Sequence, residues 1–314
     1  MSSSKMRRFI PLRTIPKNGV LGITSPATTP DADKLQKGVH YLESLGYRVN
    51  VGQSCYKSKY YVAGDDDSRA DEFMDFIKNP SIDGIICSRG GYGSMRLLPL
   101  LDYEVIKKMR KPLIGFSDIT ALQWGIFARC GLPSISGGMA ATDMANTPMN
   151  KQFEKAFWRY INTGTFSYSM DYHTDEQRKM NGICLPGTVS LISKLLGSPF
   201  FPDLKKSIPV LEDVDEPTHK IEAYLMHLRL SGFFDRSEAV LMGQFLKTDR
   251  EPYPSVPSLT EVFETVFKGS RCPNFTGINY GHIPDKIPFP VGAPVLLSLG
   301  TKSTIQSTES IFEH

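Results

Sequence analysis

A serine stands at a turn where it could act as a nucleophile. Ser117 lies in the segment Gly-Phe-Ser-Asp-Ile-Thr, 115–120, between an apolar run and a helix predicted to begin near Thr120. At a strand-to-helix turn the hydroxyl is exposed, and the helix N-terminus offers free backbone N–H groups and a positive dipole end. A nucleophile and its oxyanion need these features. The alternative is that Ser117 only caps the helix, because serine is a preferred N-cap residue.

A glycine-rich loop precedes this turn. Residues 88–94 have the sequence Ser-Arg-Gly-Gly-Tyr-Gly-Ser and follow an apolar run. Glycines let backbone N–H groups approach a ligand closely, although a purely structural turn is the alternative. The dinucleotide-binding fingerprint is not matched, because the Gly-Gly pair and Tyr92 break its spacing. Arg89 could bind a substrate carboxylate through paired hydrogen bonds, or form an ion pair within the protein.

An acid and a base are found in the second half of the chain. Glu212 ends the apolar run 208–212, and Asp213 and Glu216 follow it. We favour Glu212 over Glu216 as the acidic residue, because Glu212 directly follows the apolar residues of the predicted strand. His282 is the histidine that lies in a glycine-flanked turn. Since acidic clusters are usually solvated and single histidines are usually surface groups, the residues nominate a Ser-His-Glu hydrolase without establishing it.

The predicted elements place the two candidate loops of the first half at one edge of a sheet. Alternating strands and helices predict a mostly parallel sheet with helices on both faces, and sites in such sheets lie at the carboxyl ends of the strands. The loops 88–94 and 116–120 both lie there. Strands are predicted at 19–26, 47–51, 84–88 and 112–115, and helices at 31–45, 68–78 and 95–100.

The pattern weakens between 146 and 178, which indicates a division into two lobes. We predict a first lobe over 1–165, a linker over 166–180 and a second lobe over 181–314. In the second lobe, helices are predicted at 188–196, 221–231 and 260–266, and strands at 208–212, 239–245, 275–279 and, last, 294–299.

Composition excludes several classes of function. Hydrophobic residues at 40% and charged residues at 22% are ordinary for a globular protein. A net charge of +3 without a dense basic block argues against nucleic acid as a partner. The five scattered cysteines indicate reduced thiols and no zinc site. Because we find neither an apolar signal-peptide region nor a run of about 20 apolar residues, we expect a cytoplasmic protein with no membrane partner.

Taken together, these segments resemble the serine peptidases of the LD-carboxypeptidase family, which includes the microcin-immunity peptidases. The similarity runs from about Gly19 to Gly300, and an ordered series is far more specific than any one motif. The motifs are Ile23-Thr-Ser-Pro-Ala27, Tyr61-Val-Ala-Gly64 with Asp67 and Arg69, Ser88-Arg-Gly-Gly-Tyr-Gly93 with Arg96 and Leu98, Gly115-Phe-Ser-Asp-Ile-Thr120, Leu211-Glu-Asp-Val214 and Gly281-His282.

The resemblance implies a role for each candidate residue in the reaction. Ser117 is the expected nucleophile, His282 its base and Glu212 the carboxylate that orients the base. The expected oxyanion donors are the backbone N–H groups of Asp118 and Gly91.

The resemblance also implies a fold and a substrate. The expected α/β fold is a Rossmann-like N-terminal lobe with a mostly parallel sheet and a smaller, strand-rich C-terminal lobe. The expected reaction is cleavage of a muropeptide before a terminal D-alanine, in cytosolic murein recycling, by a homodimer without metal or other cofactor. Arg89 and Tyr92 are candidate substrate-binding residues.

Three departures from the family pattern bear on the substrate. Ser136, Thr188 and Ala223 stand where other residues are common, at positions expected to line the substrate pocket. A rival hypothesis is therefore a microcin-immunity-type hydrolase, which a basic or aromatic pocket near Tyr253 and Phe289 would favour. A third hypothesis is a two-lobed binding protein without catalysis, in which the Ser, Glu and His side chains are not in contact.

Overall fold

Two β-sheets organise the chain, one in each lobe. The structure is a computed structural model that describes residues 9–146, 148–203, 205–248 and 253–313. The strands formed by these residues are β1 Val20–Thr24, β2 Arg48–Val51, β3 Gly84–Cys87, β4 Leu113–Gly115, β5 Ser134–Ser136, β6 Ser167–Met170, β7 Arg178–Thr188, β8 Ser207–Val214, β9 Val240–Leu246, β10 Asn274–Phe275, β11 Phe289–Val291, β12 Ala293–Leu299 and β13 Ser303–Ser307.

Helices cover the sheets and connect their parallel strands. The α-helices are α1 Ala32–Ser44, α2 Asp66–Lys78, α3 Tyr103–Met109, α4 Ile119–Cys130, α5 Lys151–Thr163, α6 Val189–Leu195, α7 Thr218–Leu230 and α8 Leu259–Phe267. Three 3₁₀-helices span Gln53–Tyr56, Ser94–Leu100 and Phe234–Arg236. Helix α2 begins two residues before the predicted start at Ser68, because Asp65 is its N-cap and accepts a hydrogen bond from the Ser68 N–H.

The first sheet has the strand order β11-β5-β4-β3-β1-β2. Strands β1 to β5 are parallel, and β11 returns from the C-terminal part of the chain to pair antiparallel with β5. The predicted Rossmann-like lobe is confirmed. The loops that follow β3 and β4 lie side by side at the carboxyl edge of this sheet, as expected for a parallel sheet.

The second sheet has the strand order β10-β9-β8-β7-β12-β13-β6. Its first four strands are parallel and the remaining pairs are antiparallel, which confirms a strand-rich second lobe. The predicted linker 166–180 contains β6 and the first residues of β7, so much of it belongs to this sheet. Strand β13 follows β12, so the prediction that 294–299 is the last strand was wrong.

The two lobes are packed together at helix α4. Trp124, in the middle of α4, is fully buried, and its indole N–H donates to the Pro186 carbonyl of β7 at 2.9 Å. In the first turn of α4 the Thr120 hydroxyl accepts a hydrogen bond from the Thr188 N–H at 3.2 Å. Helix α4 therefore holds the end of β7 next to Ser117.

Candidate active site

Ser117 lies in the tight turn between β4 and α4. Its φ of +63° falls in the left-handed region that residues other than glycine seldom adopt. A turn of this kind lifts the side chain away from the strand and exposes the hydroxyl. The alternative that Ser117 only caps the helix is wrong. The N-cap of α4 is Asp118, and the Ser117 hydroxyl is hydrogen-bonded to His282 of the second lobe.

Three side chains that are distant in sequence meet at this turn. His282 Nε2 lies 3.0 Å from Ser117 Oγ, and His282 Nδ1 lies 2.7 Å from Glu212 Oε2. The Glu212 side chain is fully buried, whereas a quarter of the His282 side chain is exposed. With Glu212 ionised, the proton of a neutral imidazole resides on Nδ1, so that Nε2 accepts the serine hydroxyl proton. The contact contradicts the expectation from a non-catalytic binding protein.

Thr188 fixes the second oxygen of Glu212. Its hydroxyl donates to Glu212 Oε1 at 2.6 Å, and the residue is buried at the end of β7. Both carboxylate oxygens are therefore hydrogen-bonded, which compensates for the cost of burying the charge. In the sequence, Thr188 stands out only as a departure from the family pattern. Its hydroxyl contacts Glu212, 24 residues later on another strand, and such a contact leaves no local pattern.

The other candidate carboxylate, Glu216, lies elsewhere. Glu216 Oε1 accepts a hydrogen bond from the Tyr224 hydroxyl at 3.4 Å, and Oε2 lies 3.8 Å from Lys220 Nζ. These contacts place Glu216 at the start of α7. The structure thus brings Glu212, rather than Glu216, to His282.

The glycine-rich loop packs directly on Ser117. A methyl group built on Gly90 would lie 2.8 Å from Ser117 Cβ and 3.2 Å from the Asp118 nitrogen, so only glycine fits there. Gly91, at φ +115°, packs against Thr28 instead. Among the described residues, neither the Gly91 nor the Asp118 backbone N–H has a hydrogen-bond partner. Both N–H groups are therefore free to bind a ligand.

Buried polar contacts hold this loop in place. The Asp118 carboxylate accepts a hydrogen bond from the Ser94 N–H at 2.8 Å, and burial raises the pKa of Asp118 above its ordinary value. The guanidinium of Arg69, which is fully buried, donates to the Pro26 and Gly93 carbonyls and pairs with Asp66. Arg69 belongs to the motifs of the family resemblance, but its contacts cannot be read from the sequence.

The two predicted substrate-binding side chains belong to this loop and flank its Gly90-Gly91 pair. Arg89 is half-buried, and its guanidinium has no hydrogen bond or ion pair with any other described residue. Tyr92 is 54% exposed, and its ring meets that of Tyr61 edge to face at 5.1 Å. The predicted alternative of an internal ion pair for Arg89 therefore finds no support in the described part of the chain.

The remaining departures, Ser136 and Ala223, differ in burial. Ser136 is buried, and its hydroxyl lies 2.7 Å from the Tyr280 hydroxyl, two residues before His282. Ala223 is exposed on α7. Phe289 is fully buried and packs against Phe166, so it forms no wall of an aromatic pocket. The Ser136 and Phe289 side chains thus lie in the core, whereas Ala223 lies on the surface.

Asp213, the neighbour of Glu212, is a second buried acid close to the site. Burial, and then the charge of Glu212, raise the pKa of Asp213 from its ordinary value of 3.8 to about 7. Its oxygens accept hydrogen bonds from the Ser190 and Val214 N–H groups. Asp213 thus faces the start of α6 and does not contact His282.

The described residues form no metal site, no disulfide and no membrane-spanning helix. No group of three or more His, Cys, Asp or Glu side chains in the described ranges is arranged to hold a metal ion. The five cysteines, all among the described residues, are buried and form no disulfide. None of the helices built by these residues is long and apolar enough to cross a membrane.

A two-lobed α/β fold with a hydrogen-bonded Ser-His-Glu series at the sheet edge is the arrangement of a serine hydrolase. Residues 21–137 match the model of the LD-carboxypeptidase N-terminal domain, and residues 181–297 match that of the LD-carboxypeptidase C-terminal domain. The chain therefore belongs to the LD-carboxypeptidase family, and it is a serine-type enzyme.

Individual relatives agree with this assignment. The chain is 26% identical over 296 residues to a probable murein peptide carboxypeptidase of Bacillus subtilis, covering 93% of each protein. It is 26% identical to the microcin C7 self-immunity protein of Escherichia coli, covering 91% of each. The crystal structure of muramoyltetrapeptide carboxypeptidase from Oxalobacter formigenes superposes with a TM-score of 0.85 at 24% identity, covering 93% of this chain and 99% of that one.

Proposed function

We propose that the protein is a metal-independent serine carboxypeptidase that hydrolyses the L,D-peptide bond before a terminal D-alanine in murein tetrapeptides. The observation that carries this proposal is the hydrogen-bonded series from Ser117 through His282 to Glu212, in a chain of the LD-carboxypeptidase family. The relatives described as murein peptide carboxypeptidases support the choice of substrate.

In the first half of the reaction, His282 Nε2 takes the proton of Ser117 as Oγ attacks the peptide carbonyl carbon. The oxyanion that forms is bound by the N–H groups of Asp118 and Gly91, and losing one such donor typically costs about 3 kcal/mol of barrier. His282 then gives its proton to the nitrogen of D-alanine, and the C–N bond breaks. Glu212 stabilises the imidazolium throughout.

In the second half, a water molecule hydrolyses the acyl-enzyme. His282 takes a proton from the water, the oxygen of water bonds to the acyl carbon, and Ser117 regains its proton as it leaves. The imidazole of His282 carries every proton transfer between the serine, the leaving amine and the water, and Glu212 stabilises its charged form. For this reason we expect turnover to be resistant to chelators.

Arg89 is the proposed partner of the terminal carboxylate. Its guanidinium is half-buried in the loop that packs on Ser117 and is unpaired among the described residues, so it is available for a bidentate contact. We expect Arg89→Met to raise KM for the tetrapeptide at least tenfold, and Arg89→Lys to raise it less. An unchanged KM in Arg89→Met would remove this role.

The cellular setting forms part of the proposal. We propose that the protein acts in the cytoplasm as a homodimer, on peptides released from murein, as the family resemblance implies. Fractionation of the producing cells tests the compartment, and light scattering on the purified protein tests the dimer. A monomer of 35.0 kDa in solution would contradict the homodimer.

The proposal is tested by measuring free D-alanine released from L,D-linked and D,D-linked muropeptides. We expect release from the L,D-linked tetrapeptide only, unaffected by chelator and abolished in Ser117→Ala. Release from D,D-linked peptides, or an active Ser117→Ala variant, would contradict the proposal.

A second candidate is a microcin-immunity-type hydrolase that cleaves an amide in a modified peptide. It is supported by the similarity to the microcin C7 self-immunity protein over 91% of the chain. A folded protein that releases no D-alanine but cleaves a peptidyl-nucleotide amide through Ser117 would favour this candidate.

A further inference from the structure

A buried ion pair joins the two lobes beside the candidate active site. Lys286 Nζ lies 2.5 Å from Asp143 Oδ1, and the side chains are only 8% and 12% exposed. Asp143 belongs to the first lobe, after β5, and its other oxygen accepts a hydrogen bond from the Met139 N–H at 3.1 Å. Lys286 belongs to the C-terminal half and follows His282 by four residues.

The lysine and the histidine share one aromatic ring. Lys286 Nζ lies 4.8 Å from the centroid of the Phe116 ring, and the His282 ring centroid lies 4.8 Å from the same centroid. Phe116 is fully buried and directly precedes Ser117. A cation over an aromatic face is attracted by the ring, so Lys286 also holds the ring on which the imidazole rests. The second ring near Lys286 Nζ is Phe153, at 5.5 Å.

The loop that carries His282 is closed at its base and anchored at both ends. The Ile287 N–H donates to the Asn279 carbonyl at 2.6 Å, which closes the loop. Before His282, the Tyr280 hydroxyl contacts Ser136 of the first lobe at 2.7 Å. After His282, Lys286 contacts the first lobe through Asp143. The imidazole therefore lies between two polar attachments to the lobe that carries the nucleophile.

We propose that Lys286 and Asp143 are positioning residues, whose ion pair holds the His282 loop so that Nε2 stays within hydrogen-bond distance of Ser117 Oγ. This inference rests on the proposed Ser-His-Glu mechanism. Neither residue contacts Ser117 or His282 through a hydrogen bond. The ion pair therefore acts through the position of the His282 ring. Its loss should lower the rate of proton transfer and leave substrate binding unchanged.

The test compares Lys286→Met and Lys286→Arg with the wild-type protein. We expect Lys286→Met to lower kcat roughly 10- to 100-fold with KM unchanged within twofold, because a displacement of about 1 Å in a catalytic group costs up to about 100-fold. Lys286→Arg keeps the charge and the ring contact, so it is expected to retain kcat within about threefold. Labelling of Ser117 by a fluorophosphonate, which needs the base but no peptide subsite, should slow in parallel with kcat.

Two further variants separate positioning from stability. Lys286→Met leaves the Asp143 charge buried without its partner, so the double variant Asp143→Asn/Lys286→Met provides a fold without that penalty. The double variant should show the same loss of kcat and of labelling rate. The matched control is Lys111→Met, because Lys111 is equally buried and its ammonium donates to the Phe76 and Asn79 carbonyls in the first lobe. Lys111→Met should lower Tm and leave kcat and labelling unchanged.

The outcomes distinguish this inference from the proposed function. An active wild-type protein whose double variant keeps kcat and labelling within twofold would overturn the positioning role alone. An equal loss of kcat in Lys111→Met would also overturn it, since the effect would then follow from stability. A folded wild-type protein in which Ser117 neither turns over substrate nor reacts with the fluorophosphonate would remove the mechanism and this inference with it.

Discussion

Replacing Glu212 by glutamine tests the electrostatic core of the proposed mechanism. The wild-type carboxylate is fully buried, and Oε2 lies 2.7 Å from His282 Nδ1. For opposite charges about 4 Å apart at an effective dielectric constant of about 20, the attraction is about 4 kcal/mol. This energy stabilises the imidazolium that forms as Ser117 attacks, and its loss corresponds to about a thousandfold in rate.

The contact of Glu212 with Thr188 sharpens this prediction. Since the Thr188 hydroxyl donates to Oε1, it would retain the carbonyl oxygen of a glutamine there and turn the amide NH₂ toward His282 Nδ1. The imidazole would then carry its proton on Nε2, which is the wrong tautomer for a base that acts on Ser117. We therefore expect kcat in Glu212→Gln to fall at least a thousandfold, with KM nearly unchanged because the carboxylate is out of reach of the substrate.

The assay is D-alanine release from the L,D-linked tetrapeptide under initial-rate conditions, with folding verified by thermal unfolding. Glu216→Gln is the matched control, because Glu216 contacts Tyr224 and Lys220 instead of His282. It should retain kcat within about twofold. A folded Glu212→Gln variant within tenfold of wild type, or a large loss in Glu216→Gln, would refute the assignment of the acidic residue.

Three further predictions follow from contacts around the site. Thr188→Val should lower kcat about tenfold and Thr188→Ser much less, because a hydrogen bond to a buried charge contributes about 1.5–3 kcal/mol; equal kinetics in the two variants would contradict this. Gly90→Ala should lower kcat at least tenfold without unfolding the protein, because its methyl group would lie 2.8 Å from Ser117 Cβ; unchanged turnover would show that the loop moves freely. Since the pKa of Asp213 is raised to about 7 in the folded state, its contribution to stability falls as pH rises from about 4 to about 7. Urea unfolding should therefore show the wild type losing about 3 kcal/mol relative to Asp213→Asn between pH 5 and pH 8, and parallel curves would contradict the raised pKa.

The parts of the fold that local sequence patterns determine could be predicted. Alternating apolar runs and helix patterns identified the parallel sheet, and the strand-turn-helix segment around Ser117 indicated an exposed hydroxyl. The turn that contains Gly281 singled out His282 among six histidines. In each case the signal lies within about ten residues of the feature it predicts.

Elements that depend on distant partners were missed or misjudged. Strand β11 has only three residues, one of them Pro290, and it exists because β5 offers an edge to it. Strand β6 falls in a polar segment that was predicted as a linker, yet it pairs with β13, more than 130 residues later in the chain.

The chemistry of the site depends on contacts of the same long range. Ser117 and His282 are 165 residues apart in sequence, and only the folded structure shows their hydrogen bond. The supporting role of Thr188 was likewise hidden, because a threonine at the end of a strand has many uses. Family resemblance supplied the pairing of Ser117, Glu212 and His282 that periodicity and spacing could not.

The central claim is that Ser117 carries the acyl group of the substrate during turnover. The most direct measurement is peptide-level mass spectrometry of enzyme quenched in acid while it turns over the L,D-linked tetrapeptide. We expect the peptide containing Ser117 to gain the mass of the substrate acyl group without D-alanine. This adduct should be absent in Ser117→Ala and scarce in Glu212→Gln. D-alanine release by the wild type with no adduct at Ser117, or with an adduct on another residue, would contradict it.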